Sequence, residues 1–300
     1  MIEQRELVGV LGGLGPAASA LLNRHVVDAA LRIGNKINDE DHPAVLYYVN
    51  PRLPNSRLAA LGREISPVPQ MVKTVKSMKA AGATMFCIAC NTAHLFAPEV
   101  ALKAKLPLLN MINLTLQRVR GNVSGKSCRV GLLCSDATAE LGVYHKHVKD
   151  SGVQGLELVL PDDGGRQRVQ ASILRIKAGE ERNPEVKRAV LAEVARLRSR
   201  TCGKCILGCT ELPLLFTMAE KERLGLIDPM VVLAEEIVRI SDESASRRSD
   251  GDAGSTAAAG EAENCGKGKK QRKIFLAAAA AFFLGISKAS VLDLNLTFVR

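Results

Sequence analysis

Two cysteines at equivalent places in the two halves of the chain are the residues best suited to chemistry. Cys90 opens the segment Cys-Asn-Thr-Ala-His, and Cys209 opens the segment Cys-Thr-Glu-Leu-Pro. Each follows an apolar run that predicts a strand and precedes a predicted helix start, where the helix dipole favours a thiolate. Two such thiols on opposite faces of one substrate could remove a proton from one side of a carbon and return a proton to the other.

The spacing of the cysteines is repeated by a second pair of segments. The run that starts at Val8 (Val-Gly-Val-Leu-Gly-Gly) resembles the run that starts at Val130 (Val-Gly-Leu-Leu-Cys-Ser), 122 residues later (130 − 8). The cysteines are 119 residues apart (209 − 90). Two landmarks with nearly the same offset indicate an internal repeat. We therefore expect a duplicated α/β unit.

Apolar, strand-like runs alternate with helical patterns along both halves of the chain. This alternation predicts parallel sheets with helices on both faces, the doubly wound α/β architecture. Ligands bind beyond the carboxyl ends of the strands in such sheets, where both cysteines are predicted. We expect two similar domains, residues 1–115 and 116–240, with a C-terminal helix of the second domain that packs back on the first. The predicted strands cover residues 7–11, 44–49, 84–89, 129–133 and 204–207, and the predicted helices cover residues 16–33, 66–81 and a segment that begins at Pro184.

The composition excludes several classes of protein. Aromatic residues make up 3% of the chain and Trp is absent, so stacking platforms for single-stranded nucleic acid are not expected. The net charge of +10 is mostly dispersed through the predicted helices and fits attraction for acidic small molecules. Eight cysteines in 300 residues do not form a dense disulfide framework, and the N-terminal residues lack the apolar run of a signal peptide. We expect a cytoplasmic protein with no nucleic-acid partner.

The chain changes character after Ile240. Residues 241–273 are polar, with a basic cluster from Lys267 onward, and they predict a disordered linker. Residues 274–300 form an apolar tail, whose longest apolar run of 13 residues begins at position 274 and ends at 286. A helix that spans a bilayer needs roughly 20 apolar residues. A tail anchor, a peripheral helix and a segment without a selected function all remain open.

Two other motifs suggest different chemistry. Cys87-x-x-Cys90 and Cys202-x-x-Cys205 have the spacing of zinc ligands. However, the two pairs lie more than a hundred residues apart, and the side chains of the first pair tend to opposite faces of a strand end. The segment Gly13–Ala18 fits a dinucleotide-binding pattern, but its proline removes a backbone donor and no acidic ribose partner closes the next strand. We expect neither a metal nor a dinucleotide.

Two further residues near the cysteines have two interpretations each. Cys134 either brings a third thiol to the site or serves as a small hydrophobic residue. His94 either tunes a thiolate or caps the local turn.

With these residues, the chain resembles the aspartate/glutamate racemase superfamily, specifically its aspartate racemase-like, cofactor-independent amino-acid racemases. The resemblance covers residues 7–240 and rests on Gly-Gly-Leu-Gly-Pro from Gly12, Cys-Asn-Thr-Ala-His from Cys90, and Gly-Cys-Thr-Glu from Gly208, in this order. It implies two similar α/β domains with the active site between them, and a homodimer. It also implies that Cys90 and Cys209 are the acid/base thiols and that neither pyridoxal phosphate nor a metal is needed.

Hydroxyls, amides and cations near the cysteines are the predicted substrate contacts. The Cα proton of an amino acid is a very weak acid, so the growing negative charge needs donors placed around the carboxylate. By the resemblance, Lys177 matches a basic position that the family uses on a substrate carboxylate, although an ordinary solvated lysine is the alternative. The family's first-half arginine sits two residues after a proline, where this chain has Ser56, so Arg57 or Arg52 is expected in its role. The predicted contacts are Gly13, Asn91, Thr92, Thr138, Lys177, Thr210, and Arg57 or Arg52.

These features together predict an isomerase, a cofactor-independent racemase that interconverts L- and D-aspartate or glutamate by two-thiol proton transfer at Cα. A maleate isomerase or a malonate decarboxylase-like enzyme of the same superfamily is the alternative among enzymes. A ligand-binding relative without turnover is the alternative outside them. The altered segment Pro54–Arg57 and the unusual tail favour it, and the intact Cys90 and Cys209 count against it. The expected partner is a small amino acid, and membrane contact is expected only through residues 274–286.

Overall fold

The computed structural model describes residues 6–34, 36, 38–121, 128–150, 153–201 and 203–252. These residues form an α/β fold with two parallel β-sheets and helices between their strands. The chain up to Ser241 forms one compact unit, and the chain from Asp242 onward is a second unit.

Each half of the chain contributes one sheet. In the first sheet the strand order is β2-β1-β3, and in the second it is β5-β4-β6-β7, with every neighbouring pair parallel. The strands are β1 (Val8–Gly12), β2 (Val45–Val49), β3 (Met85–Ile88), β4 (Cys128–Cys134), β5 (Leu156–Val159), β6 (Cys205–Gly208) and β7 (Leu226–Ile227).

Helices connect the strands, and several begin at residues that favour a helix start. α1 has Pro16 at its first position, where the missing N–H costs no hydrogen bond. The side chain of Asn183 accepts from the N–H of Glu185 and so caps α9. The α-helices are α1 (Pro16–Ile33), α2 (Ser56–Ala60), α3 (Val68–Ala80), α4 (Ala97–Ala104), α5 (Met111–Gly121), α6 (Asp136–Glu140), α7 (Val143–Asp150), α8 (Asp163–Lys177), α9 (Pro184–Arg198), α10 (Met218–Leu224) and α11 (Pro229–Asp252), and short 3₁₀ turns cover Asp39–Asp41, Thr92–Leu95 and Leu212–Leu215.

The two sheets repeat the same arrangement of their first three strands. β1 and β4 are each central, with the next strand in the chain on one side and the third strand on the other. β7 extends the second sheet beyond β6, and a single parallel bridge between Phe86 and Leu108 lies beside β3 in the first half. Cys90 comes after β3, and Cys209 comes after β6. The fold therefore confirms the predicted pair of similar parallel-sheet units.

The predicted strands match the observed ones within one residue at each end. Helix α1 has the predicted bounds, and α3 begins two residues later than predicted because the chain is extended or turned as far as Pro67. The sequence patterns do not predict β5, β7 or most of the helices, including the 15-residue α8. In the shortest of these segments, too few apolar positions are present for a period to be visible in the sequence.

The last helix belongs to the core of the first sheet. Leu233 and Ile237 of α11 are buried in the same apolar cluster as Val10 of β1 and Leu22 of α1. The second half therefore sends a helix back onto the first. The predicted domain boundaries at residues 115 and 240 stay predictions.

The predicted linker from residue 241 is wrong in its first part, because α11 continues to Asp252. Burial of the first turns of α11 offsets the unfavourable free energy of helix nucleation. Each further residue then adds a hydrogen bond and extends the helix easily. The rest of the predicted linker and the apolar tail, residues 274–300, lie outside the described residues. Of the helices in the described part of the chain, none is long and apolar enough to cross a membrane.

Candidate active site

Both cysteines line one cleft at the carboxyl ends of β3 and β6. The cleft has a volume of about 780 Å³ and takes residues from both halves of the chain. Cys90 is partly exposed, and Cys209 is 8% exposed. Of the predicted substrate contacts, the cleft is lined by Gly13, Arg57, Asn91, Thr92, Lys177 and Thr210, whereas Thr138 and Arg52 lie outside its lining.

Cys90 has an uncharged hydroxyl as its neighbour. The Oγ atom of Ser56 lies 3.6 Å from the Sγ atom of Cys90. Ser56 is held there because the side chain of Asn55 accepts from two N–H groups of α2 and fixes the start of that helix. Burial raises the pKa of the Cys90 thiol, and the hydrogen bond with Ser56 opposes part of this increase.

Cys209 has a carboxylate as its neighbour. Its thiol donates to Oε2 of Glu211 at 3.0 Å, and Nζ of Lys177 donates to Oε1 of the same carboxylate at 2.6 Å. Glu211 is 4% exposed, so the carboxylate is shielded from water. Burial raises the pKa of Cys209 well above its ordinary value, and the negative charge of Glu211 raises it further.

The positive charge of Lys177 acts on both thiols and on Glu211. Burial lowers the pKa of Lys177, but the attraction of Glu211 outweighs burial, and the net pKa is raised. Its positive charge in turn lowers the pKa of both Cys90 and Cys209. Lys177 therefore lines the same cleft as the two thiols, and its partner is a carboxylate of the protein.

The glycine-rich turn after β1 lets Glu211 and the second strand approach closely. Gly13 has a φ of +95°, and a Cβ atom there would lie 2.3 Å from the backbone of Asn50. A Cβ atom at Gly15 would lie 2.4 Å from Oε1 of Glu211. The glycine turn after β1, whose sequence fits a dinucleotide-binding pattern, thus leaves space for the carboxylate of Glu211 from the second half.

Asn91, next to Cys90, is oriented by a residue of the other half. The hydroxyl of Tyr144 on α7 donates to Oδ1 of Asn91 at 2.7 Å. Nδ2 of Asn91 is buried and has no hydrogen-bond partner within the described residues. Asn91 also lines the cleft, so this unpaired amide nitrogen is a candidate donor to a ligand.

Three hydroxyl groups form a buried cluster behind the first cysteine segment. Oγ1 of Thr92 lies 3.1 Å from Oγ of Ser135 and 2.8 Å from Oγ1 of Thr138. Thr92 and Ser135 line the cleft, but Thr138 lies one layer deeper and is 1% exposed. The hydroxyl of Thr138 therefore lies behind Thr92 and is hydrogen-bonded within the cluster.

Arg57 is bound to an acidic residue of the second half. Its Nε and Nη2 atoms donate to the two carboxylate oxygens of Asp136, each at 2.6 Å. The hydrogen bond with Asp136 raises the pKa of Arg57. Burial raises the pKa of Asp136, but Arg57 outweighs burial and holds the pKa below its ordinary value. Arg52 is exposed and is not among the residues that line the cleft, although its neighbours Pro51 and Leu53 are.

The roles of His94 and Cys134 follow from their surroundings. Nδ1 of His94 lies 2.8 Å from the carbonyl oxygen of Cys90. Burial, together with His147, lowers the pKa of His94 to about 3, so the ring is neutral and shapes the turn. Cys134 is buried in an apolar cluster, where burial raises its pKa to about 12. It behaves as a small hydrophobic residue.

Cys87, of the first Cys-x-x-Cys pair, is fully buried in the core, while Cys90 faces the cleft. Their side chains therefore point to different environments. Cys202 lies outside the described residues. In the described ranges, no group of three or more His, Cys, Asp or Glu residues could hold a metal ion.

Four residues that shape the site have no role that the sequence pattern predicts. Glu211 is part of the Gly-Cys-Thr-Glu motif, but the motif alone does not predict its contact with Cys209. Tyr144, Asp136 and Gln170 act through residues that are distant in the sequence. Only the three-dimensional structure brings these pairs together.

Known proteins share this sequence pattern and this fold. The profile of the family described as Asp/Glu/hydantoin racemase matches residues 11–237. The broad-specificity amino-acid racemase RacX of Bacillus subtilis is 21% identical over 232 residues, which are 77% of this chain and 96% of that protein.

Two solved structures show the likeness in fold. The aspartate racemase of Picrophilus torridus has a TM-score of 0.66 and 24% identity, covering 79% of this chain and 94% of that one. The glutamate racemase of Francisella tularensis in complex with D-glutamate has a TM-score of 0.52 and 17% identity, covering 81% of this chain and 83% of that one. At these identities the structures support the α/β fold.

Proposed function

The chain belongs to the Asp/Glu/hydantoin racemase family, and from this premise we propose that it is an amino-acid racemase in which Cys90 and Cys209 exchange the Cα proton. The observation that carries the proposal is the cleft that both thiols line, one from each half. A substrate held between them would present one face of Cα to each sulfur. Proton transfer between thiols and Cα needs no cofactor in this proposal.

The proton transfer has two balanced steps. The thiolate on one side accepts the Cα proton and becomes a thiol, and the electron pair stays on the substrate. The thiol on the other side then gives its proton to the opposite face of Cα and becomes a thiolate. The product has the inverted configuration, and the enzyme is ready for the reverse direction. A single general base contributes about 10²–10⁴-fold to such a reaction, so donors around the carboxylate must supply more.

The neighbours of the two thiols indicate which one acts as the base and which one as the acid in the resting enzyme. A hydroxyl such as that of Ser56 can donate to a thiolate, and it favours the charged form of Cys90. A carboxylate can only accept, so Glu211 favours the protonated form of Cys209. We therefore assign Cys90 as the resting base and Cys209 as the resting acid.

Asn91 is the best-placed donor for the substrate carboxylate. Its buried Nδ2 has no partner within the described part of the chain, and the hydroxyl of Tyr144 fixes the orientation of the amide. Thr92 and Thr210 line the same cleft and add hydroxyl groups. In this role Tyr144 is a positioning residue.

The experiment that tests the proposal is Cα hydrogen exchange in D₂O, followed by proton NMR without added cofactor. The panel contains aspartate, glutamate and neutral amino acids, and it compares the natural chain with Cys90→Ser and Cys209→Ser. Cys134→Ser is the matched control, since this cysteine is buried outside the cleft lining. We expect exchange with at least one amino acid, its loss in both cleft variants and its retention in the control.

Other outcomes separate the alternatives. Full activity in either cleft variant contradicts the two-thiol mechanism. No exchange with any amino acid contradicts the racemase, and tests with maleate and a substituted malonate then distinguish the other enzymes of the superfamily from a ligand-binding relative. The predicted homodimer and the predicted cytoplasmic location stay predictions.

A further inference from the structure

We propose that this cleft selects amino acids with an uncharged side chain over aspartate and glutamate. The inference rests on the proposed racemase function and concerns the substrate class of the same site. It departs from the acidic substrates that the sequence predicts, and the reason is that each cation of the cleft already has a carboxylate partner from the protein.

The charges that line the cleft do not favour a second substrate carboxylate. Two of the lining residues are cations, Arg57 and Lys177, and three are carboxylates, Glu64, Glu181 and Glu211. Lys177 is bound to Glu211 at 2.6 Å. Arg57 is bound to Asp136, a carboxylate next to the cleft that also feels the positive charge of Arg63. An amino acid brings one carboxylate and one ammonium group, which this balance accepts, whereas an acidic side chain brings one more negative charge.

Asp136 is held firmly in its place beside Arg57. The pair is bidentate, the geometry in which guanidinium and carboxylate groups bind most strongly. The N–H of Asp136 also donates to Oε1 of Gln170 at 3.0 Å, and the carboxylate accepts from the N–H of Ala137 at 2.7 Å. An acidic side chain that approached Arg57 would therefore meet the like charge of Asp136.

The remaining groups of the cleft suit a neutral side chain. Nε2 of Gln170 is buried without a hydrogen-bond partner among the described residues and offers an uncharged donor. Apolar side chains line the same cleft, among them Leu14, Leu53, Ile173 and Leu214. A neutral polar or aliphatic side chain can be buried here without the cost of desolvating an unpaired charge.

The test uses pairs of substrates with nearly equal shape and different charge. The initial rate of Cα exchange in D₂O is measured for glutamine against glutamate and for asparagine against aspartate, with the full chain. We expect kcat/KM to be at least tenfold higher for the amide in at least one pair. Equal rates or a preference for the acids overturn the inference while leaving the racemase intact. Exchange with no amino acid at all is instead the failure of the proposed function.

Asp136→Asn tests the cause of the selectivity. The change keeps the shape of the side chain and leaves Arg57 without its charged partner, so we expect the glutamine-to-glutamate ratio of kcat/KM to fall at least tenfold. Glu157→Gln is the matched control, because it removes the carboxylate of an exposed pair with Arg129 away from the cleft. Its ratio should not change. A purely structural effect of Asp136→Asn lowers both rates equally, and an unchanged ratio contradicts the assignment.

Discussion

The surroundings of Cys90 and Cys209 differ although the two cysteines occupy equivalent places after β3 and β6. Ser56 comes from α2 and offers Cys90 a neutral hydroxyl. Glu211 follows Cys209 by two residues and offers it a buried carboxylate, which Lys177 holds in place. The repeated backbone delivers two thiols to one cleft, and the side chains that are not repeated give those thiols different proton affinities.

This difference matters for a reaction that needs one thiolate and one thiol at the same time. Two neighbouring thiols with identical surroundings would also carry one negative charge between them, but neither sulfur would be preferred as the thiolate. A hydroxyl donor on one side and a carboxylate acceptor on the other separate the two states. Lys177 attracts both thiolates, and its own partner Glu211 limits that attraction.

The largest effect that the comparison predicts is the pH dependence of the natural enzyme. The pKa of Cys90 lies above its ordinary value of 9.0, so the thiolate fraction rises about tenfold per pH unit below that pKa. We expect kcat/KM to rise about 100-fold between pH 7 and pH 9. The alkylation rate of Cys90 in the free enzyme should follow the same curve, independently of the substrate's own titration. A flat profile in both measurements contradicts a raised pKa at Cys90.

Glu211→Gln should reduce the difference in pKa between Cys90 and Cys209. Without the carboxylate, Cys209 loses the negative charge that disfavours its thiolate, and Lys177 becomes free to stabilise that thiolate. A hydrogen bond to a charged group contributes about 1.5–3 kcal/mol, so the pKa of Cys209 should fall by about one to two units. Alkylation of Cys209 near neutral pH should become at least tenfold faster.

The control for this variant is Glu99→Gln, which removes the carboxylate from an exposed Glu–Lys pair with Lys103. It should leave the alkylation of Cys209 unchanged. If Glu211→Gln leaves the rate unchanged as well, the carboxylate does not set the state of Cys209.

Tyr144→Phe should weaken the proposed contact between Asn91 and the substrate carboxylate. The variant keeps the ring in the core but removes the hydroxyl that fixes the amide, and Oδ1 of Asn91 loses its donor. We expect kcat/KM to fall about tenfold, with an unchanged pH profile because neither thiol loses a direct partner. Tyr48→Phe, at an exposed tyrosine, is the control. A changed pH profile in Tyr144→Phe would mean that Tyr144 acts on a thiol directly.

Ser56→Ala should have the smallest effect. It removes one hydrogen bond to Cys90, worth about 1 kcal/mol, so the rate near neutral pH should fall about fivefold and recover at high pH. Ser77→Ala is the matched control, since its hydroxyl bonds only to the exposed helix backbone at Lys73. A loss that persists at high pH would show that Ser56 contacts the substrate instead of tuning the thiol.

The sequence predicted the parts of the site that depend on short segments. The cysteines, the glycine turn and the strand ends are each encoded within a few neighbouring residues, so their patterns were visible. The partner of Arg57 is Asp136, 79 residues away, and the partner of Asn91 is Tyr144, 53 residues away. Such pairs depend on how the two sheets face each other, which no local period encodes. Thr138 is predicted to contact the substrate, but in the structure it lies outside the cleft lining and bonds to Thr92. Its distance from the cleft depends on the same packing between the halves, which no local pattern encodes.

The central claim is that one thiol takes the Cα proton and the other delivers a different one. The most direct measurement is to let the enzyme racemise one enantiomer of its substrate in D₂O and to determine deuterium at Cα in both enantiomers at early conversion. The account predicts a product fully labelled at Cα, while the remaining substrate still carries protium. A product that retains the substrate's own hydrogen would contradict it, because a single base would then have returned the proton that it removed.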